Sequence, residues 1–454
     1  MLIHYTPMNE WQDLLEQLAS CCSTTEAKTK SKNIKPSLNR QEIEGLWSQI
    51  LPLQKLANLG YEVHVGDIQP VKSILDASQK EQILTGEDLR CIFDLLETTH
   101  RVHKFSHDFS HKCSTLASFE KSLNSIPELR KIIDQCIQRD GTVKDDATQN
   151  LLEIRQKKIS LRKRIEEKIQ SMFQREEHRT YIQDEYFTIR SDRYVVPIKL
   201  DGRGRVAGSI IDTSTSGQTL FIEPEQIRRQ NESIQEIELA EKLEIIQIFK
   251  SISERVRAES NPIENNYDAL IRLDLLSARS RFAKELEASP VQISETPIID
   301  LISARHPLVR RENSQRAIAN NIGLNKQHKT MIISGPNAGG KTIVLKTVGM
   351  LQAMLKSGFL IPAEPSSKMY IFENVFFIMG DSQNIEQKLS TFSGHIKSIK
   401  SILTKSRSKD LVLLDELASG TEPETGAAMA QAVLESLQKK KILTLATTHF
   451  ERLK

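Results

Sequence analysis

The sequence is poor in the features that mark secreted, membrane or all-β proteins. Its 454 residues include only five cysteines, Cys21, Cys22, Cys91, Cys113 and Cys136, with no C-x-x-C spacing and no paired histidine motif. That set predicts reduced thiols, and argues against a zinc site or a disulfide framework. No apolar run approaches the ~20 residues that a membrane span needs. The first residues, MLIHYTPMNEW, lack the charged start and apolar core of a signal peptide. The expected location is therefore cytoplasmic, with no membrane partner. Neither sign of charge dominates, since 62 Lys plus Arg stand against 59 Asp plus Glu, so net charge identifies no partner. Aromatics are scarce at 5% while charged residues reach 27%, a balance that favours long helices. The length implies two to four domains.

What is present centres on one stretch. Met331 to Ser334 read as a short buried strand, and Ile343 to Lys356 carry helical apolar spacing. Between them runs Gly335-Pro-Asn-Ala-Gly-Gly-Lys-Thr342, a G-x-x-x-x-G-K-T loop. Glycines let successive backbone N–H groups turn inward on phosphate oxygens, and the following helix adds its positive end. The predicted nucleotide contacts are Gly335, Pro336, Asn337, Ala338, Gly339, Gly340, Lys341 and Thr342. Lys341 would neutralise the β and γ phosphates, and the Thr342 hydroxyl would ligate Mg²⁺. Such a pattern also arises by chance in ordinary loops, but the strand before it and the helix after it are the context that the chemistry requires.

Upstream, residues 1–145 read as a helical domain, punctuated by Pro36, Pro52, Pro70 and Pro127. His100, His103, His107 and His111 recur there at helical spacing. Without accompanying carboxylates they read as a solvated face in preference to a metal site. Residues 146–285 read as two long charged helices. Leu151, Ile154, Leu161, Ile165 and Met172 form one narrow apolar seam; Ile234, Ile237, Ile245, Ile248, Ile252 and Val256 form the other. Such seams suit an antiparallel arm. Between the helices, over about 184–226, the period becomes two: Phe187 to Ile189, Tyr194 to Ile198, Val206 to Ile211 and Thr219 to Ile222 read as strands of a small β insertion. This tip carries Arg190, Arg193, Lys199, Arg203 and Arg205 against Asp192 and Asp201. Such a cluster suits nucleic-acid phosphates or a solubilising surface, and the residues alone do not separate the two.

Residues 286–454 alternate strand and helix as a doubly wound, mostly parallel sheet requires. After Val375 to Met379 comes Leu389-Ser-Thr-Phe392, then a helix with Ile396, Ile399 and Ile402. The apolar strand from Asp410 ends in Asp415-Glu416, and a last strand, Ile442 to Ala446, ends in Thr447-Thr-His449. Carboxylates at a parallel strand's carboxyl end lie where open α/β sheets bind ligands. Asp415 is suited to holding Mg²⁺, Glu416 to orienting or deprotonating water, and His449 to sensing the γ-phosphate. Singly, the acids could cap a strand and the histidine could be an ordinary polar residue; following a full P-loop in this order, they form a constellation for phosphoryl transfer.

The P-loop, Leu389 to Phe392, Leu414-Asp-Glu-Leu-Ala-Ser-Gly-Thr421 and Thr447 to His449 resemble the ATPase motifs of the MutS family. Arg193-Tyr-Val-Val-Pro-Ile-Lys199, Ser216-Gly-Gln-Thr-Leu-Phe-Ile-Glu-Pro224 and Ala304-Arg-His-Pro-Leu308 resemble its second bacterial type. The resemblance implies an ABC-type P-loop ATPase domain using ATP and Mg²⁺, preceded by a helical core, lever helices and a clamp that closes on nucleic acid. It implies a homodimer with composite sites, Ser390 reaching the γ-phosphate in trans. That branch is linked to suppressing recombination on branched or mismatched DNA and to splitting collided ribosomes. The sequence departs from the repair members in two ways. No N-terminal Phe-x-Glu wedge is visible, and Ala317 stands where they carry an aromatic that stacks on adenine. The resemblance further implies that dimerising sequence and a small Smr domain would follow Lys454. Nuclease activity is not assigned to this chain. The alternative reading is a nucleotide-gated binding module with little turnover.

Overall fold

The structure is a computed structural model that describes residues 8–36, 39–312, 317–335, 340–378, 388–417, 422–450 and 453, with side chains at all of these except 8–9, 310–312 and 388–395. It forms two compact units, each assembled from separated stretches of chain. One comprises Met1–Gln69, Thr98–Leu123 and Asn266–Lys454; the other comprises Pro70–Glu97 and Asn124–Asn265. Both units are discontinuous in sequence. Among the described residues no helix is long and apolar enough to cross a membrane.

In the second unit the arm is an antiparallel pair, Gln149–Phe173 and Arg228–Ala258. Its direction follows from the ladder of contacts, in which partners on one helix descend as those on the other rise. Asn150 reaches Glu244, Arg155 reaches Glu241, Arg162 reaches Glu238 and Lys168 reaches the Gln226 carbonyl. Burial acts to raise the pKa of Glu241, but hydrogen bonds from Lys158 and Arg155 outweigh it and hold the carboxyl below its usual range. The first helix starts on Thr148, whose hydroxyl accepts the Leu151 N–H at 3.1 Å.

The insertion is a four-stranded antiparallel sheet of Thr188–Arg190, Arg193–Lys199, Thr219–Pro224 and Gly208–Thr213, in that spatial order. Its third strand in sequence begins at Gly208 and not at Val206, because Val206 turns inward to join the core of Ile165, Ile169, Met172, Tyr194, Ile198 and Ile222. One buried side chain fastens the sheet to the arm. Asn231 accepts the Tyr194 N–H at 3.0 Å and donates to the Tyr194 carbonyl at 3.0 Å, as a neighbouring strand would. It also donates to buried Glu223 at 2.8 Å.

In the first unit, Pro52 does not break its helix as its position suggested. It lies inside Arg40–Asn58, where burial of Trp47, Ile50, Leu53 and Leu56 overrides the local penalty. His107, one of the spaced histidines, pairs with Glu120 at 2.7 Å. The expected single wound sheet is instead two. Gln292–Ser294, Lys368–Tyr370, Ile299–Ala304 and Asn320–Leu324 form a mixed sheet, in which Ile299–Ala304 pairs antiparallel with both its neighbours. The other sheet is wholly parallel, in the spatial order Val375–Ile378, Leu411–Leu414, Leu443–Thr448, Thr330–Ser334. Val412, Leu414 and Ala446 face the helices Lys388–Lys405 and Pro423–Lys439 across a core containing Ile399, Ile402, Ala430 and Leu437. The alternate residues, Leu413 and Leu445, are as deeply buried on the other side.

Replacing Asn231 by Ala removes three hydrogen bonds at one buried point and leaves both polar groups of Tyr194 unpaired. The expected cost is about 2 kcal/mol or more. Amides of Arg193–Lys199 should then exchange with solvent about 30-fold faster. Unchanged protection there would show that Asn231 does not fasten the sheet.

Candidate functional site

The order of the parallel sheet explains how distant motifs meet. The final strand, Leu443–Thr448, is inserted between Thr330–Ser334 and Leu411–Leu414. Residues just past its end therefore lie between the glycine loop and the two carboxylates. Thr448 is in register with Ser334, and Ala446 with Leu414, so the three strands end at nearly one level.

The helix Lys341–Lys356 starts at Gly340, whose φ of +77° lies in the left-handed region that favours glycine. Pro336, Asn337, Ala338 and Gly339 lie outside the described residues. Lys341 opens the helix and is only 6% exposed. Its ammonium donates to the Gly335 carbonyl at 2.5 Å and lies 3.2 and 3.3 Å from Nδ1 and Nε2 of His449. Near-equal distances to both ring nitrogens put the ammonium over the imidazole face, since an in-plane position would collide with ring carbons. His449 Nε2 in turn lies 3.2 Å from Glu416 Oε1. The histidine thus spans the cation and the outer carboxylate.

Asp415 is 3% exposed, and both its oxygens are engaged by hydroxyls from different elements. Thr342 donates to Oδ2 at 2.9 Å, and Thr447 donates to Oδ1 at 2.6 Å. Thr447 also accepts the Glu416 N–H at 2.8 Å. Successive residues of a strand point to opposite faces, so Asp415 and Glu416 could not both serve one site from a continuous strand. The strand ends at Leu414, and Glu416 takes φ of +49°. That conformation is uncommon for a side-chain-bearing residue and breaks the alternation at the point where both carboxylates are needed. The hard oxygen donors of Thr342 and Asp415 match the preference of Mg²⁺, which takes few protein ligands and keeps its waters. Among the described residues no group of three or more His, Cys, Asp or Glu is placed to hold a metal ion.

Beside the helix start lies a cleft of about 150 Å³ lined by His306, Ala317, Ile318, Asn320, Gly340 and Ile343, among others. His306 is 6% exposed and neither ring nitrogen has a hydrogen-bond partner among the described residues, although Nε2 lies 3.8 Å from Glu10. Burial acts to raise the pKa of Glu10, and the nearby His306 ring together with the Lys346 ammonium, which donates to Oε1 at 2.7 Å, brings it below the usual range.

Sequence reasoning thus brought Lys341, Thr342, Asp415, Glu416 and His449 to one place. It gave no role to Thr447, the residue joining both carboxylates, although the T-T-H signal contained it. Ser390 falls in the first turn of Lys388–Lys405 and not ahead of the helix; its side chain is outside the described residues.

The cations of the tip divide. Arg193 is not a free surface cation, because its guanidinium donates to both oxygens of buried Glu223 at 2.7 and 2.9 Å. Glu223, next to last in the neighbouring strand Thr219–Pro224, is what holds it, a partner thirty residues away that local charge counting passes over. Arg190 lies 3.7 Å from Asp212 and over the Phe221 ring, and Lys199 donates to the Thr180 carbonyl at 3.1 Å. Arg203 and Arg205 are exposed, with no side-chain partner among the described residues.

Residues 331–454 match MutS domain V. Over 98% of its length the chain is 35% identical to a protein of Lactobacillus helveticus named endonuclease MutS2, and 36% identical to one of the same name from Pelotomaculum thermopropionicum. A Bacillus cereus protein of that name is 34% identical over 98% of the chain. The phosphate-type loop, the paired carboxylates and the long-armed helical unit accompany a similarity to the MutS family that extends over 98% of the chain. The relatives the chain matches are of the MutS2 type. It spans 57% of the Lactobacillus helveticus protein and 56% of the Pelotomaculum one.

Replacing Thr447 by Val, which is nearly isosteric, should leave the Glu416 N–H and one Asp415 oxygen unpaired. That should cost about 1–3 kcal/mol locally and release Glu416 from its positive φ. Exchange at the Glu416 amide should rise by at least tenfold in Thr447→Val; protection equal to that of the unaltered protein would dissociate Thr447 from the carboxylate geometry.

Proposed function

We propose that this chain binds ATP with Mg²⁺ and hydrolyses it to ADP and phosphate, using the turnover to open and close a clamp on nucleic acid. The observation that carries the reading is the convergence of Lys341, Thr342, Asp415, Glu416 and His449 at the ends of three parallel strands. Gly335 to Thr342 would cradle the phosphates, with Lys341 exchanging its Gly335 and His449 contacts for phosphate oxygens. Mg²⁺, when bound, would neutralise phosphate charge; Thr342 and Asp415 would hold it. Glu416 would accept a proton from the attacking water, and His449 would report the γ-phosphate to Glu416. The cleft by His306, Ala317 and Ile318 would take the base. Small Ala317 leaves that cleft open where an aromatic would fill it.

The functional division is a helical domain over 1–145, lever helices with a clamp over 146–285 and an ABC-type ATPase domain over 286–454. The active form is a homodimer with composite sites, to which Ser390 contributes in trans. The substrate is branched or mismatched DNA, or the ribosome, placing the chain in recombination suppression or the splitting of collided ribosomes. Nucleic-acid contact falls to Arg203 and Arg205 first, then Arg190 and Lys199; Arg193 supports the sheet through Glu223. The relatives are named endonucleases, and the reading of this chain stops at nucleotide hydrolysis and clamping.

Two variants separate the roles. Lys341→Ala should abolish nucleotide binding in a fluorescent-nucleotide titration, since the phosphates lose their buried cation. Glu416→Gln should bind ATP normally and hydrolyse it about 10²-fold or more slowly, the size of a general-base contribution. Equal loss of ATP affinity in both would overturn the assignment. ATPase rate per chain should also rise with protein concentration, as a composite site requires. A rate independent of concentration would favour a self-contained site and the binding-module alternative.

A second test addresses dimerisation. Mixing Ser390→Ala with Lys341→Ala chains should recover part of the ATPase activity, because each heterodimer has one intact composite site. Heterodimers demonstrated by mass that recover none would rule out the trans role of Ser390.

A further inference from the structure

Leu200 is 53% exposed, an unusual setting for leucine on a turn whose backbone is held so closely. It opens the single-turn 3₁₀ segment Leu200–Gly202 at the end of the strand Arg193–Lys199. The N–H groups of Lys199 and Leu200 donate to the carbonyls of Tyr181 and Gln218, at 2.9 and 3.1 Å. Arg203 and Arg205 donate theirs back to Leu200 and Gly202, at 3.3 and 3.0 Å, and the Lys199 ammonium is fixed on Thr180. Gly202 is buried against Tyr181 so closely that a Cβ there would lie 2.8 Å from the Tyr181 Cβ. Past the loop, Val206 is locked into the core. The turn is therefore pinned on both sides and presents an apolar side chain outward, three and five positions before Arg203 and Arg205, which have no side-chain partner among the described residues.

We propose that Leu200 is an apolar wedge that enters a base step already opened at a nucleic-acid branch, while Arg203 and Arg205 hold the flanking phosphates. This rests on the reading of the tip as a nucleic-acid contact. A wedge must be stiffer than the stack it enters, which the pinned turn provides. Burying one leucine returns too little to open a fully stacked step, so the match is to a step that is already unstacked. Asp201, exposed in the same turn, repels phosphate at its own position and leaves the backbone contacts to the Arg203–Arg205 side. Arg190 and Arg193 on the sheet are engaged by Asp212 and Glu223, whereas Arg203 and Arg205 on the loop have no side-chain partner among the described residues.

The test uses the full chain and a four-way DNA junction with 2-aminopurine either at the branch or within a continuous arm. Binding should raise fluorescence at the branch position and leave the arm position unchanged. Leu200→Ser should remove the branch signal and weaken junction binding about tenfold, with binding to plain duplex unaltered. Leu200→Phe should keep the signal. Arg203→Gln with Arg205→Gln should lower the slope of log affinity against log salt by about 1.8, or about 0.9 per contact. If the slope responds to the arginines while Leu200→Ser leaves both the branch signal and the affinity intact, the wedge is wrong and the nucleic-acid reading stands. If the slope ignores the arginines, the nucleic-acid reading of the tip fails, and the wedge with it.

Discussion

The Asp415 carboxylate is the point on which the site depends. Each oxygen accepts one hydroxyl, from Thr342 on the helix that follows the glycine loop and from Thr447 at the end of the central strand. An ionised carboxylate removed from water needs partners for its lone pairs. Here the carboxylate and its two partners come from three different parts of the chain, so satisfying one charge fixes the relative positions of all three. The second role of Thr447, holding the Glu416 N–H, ties the neighbouring acid into the same arrangement. Geometry for two carboxylates thus follows from the solvation requirement of one.

Sheet order makes this possible. Strands that follow one another in sequence would have placed the His449 strand at an edge; its insertion beside Thr330–Ser334 instead brings His449 over Lys341. Short, fully apolar strands such as Leu411–Leu414 are readable in a sequence, because burial on both faces leaves no polar alternation. Their order in the sheet is a tertiary property that no local pattern records. Hence the residues of the site were legible and their neighbours were not. Lys341, Asp415, Glu416 and His449 stand in motifs, whereas the positive φ of Glu416 belongs to a residue type that gives no hint of it.

The tip shows the opposite failure. Counting charges over Phe187 to Arg205 treated five cations alike, and the fold sorted them by partner. Glu223, far along the chain, absorbs Arg193; Asp212 and Phe221 engage Arg190. The strands themselves were readable from their period of two, apart from the start of Gly208–Thr213, where Val206 obeyed the core and not the ladder. In the other unit Pro52 misled for a related reason, since apolar residues on either side of it buried enough surface to keep the helix continuous.

The union of Asn231 with Tyr194 has a mechanical meaning. A side-chain amide that pairs with both polar groups of one residue acts as a keyed joint: it resists sliding along the strand and rotation about the helix axis together. Since Asn231 sits in the first turns of Arg228–Ala258, torque applied along that helix reaches the sheet without backlash. Stiffness of this kind is set by two hydrogen bonds and one buried acid, and a single side chain is enough to tune how faithfully the tip follows its arm.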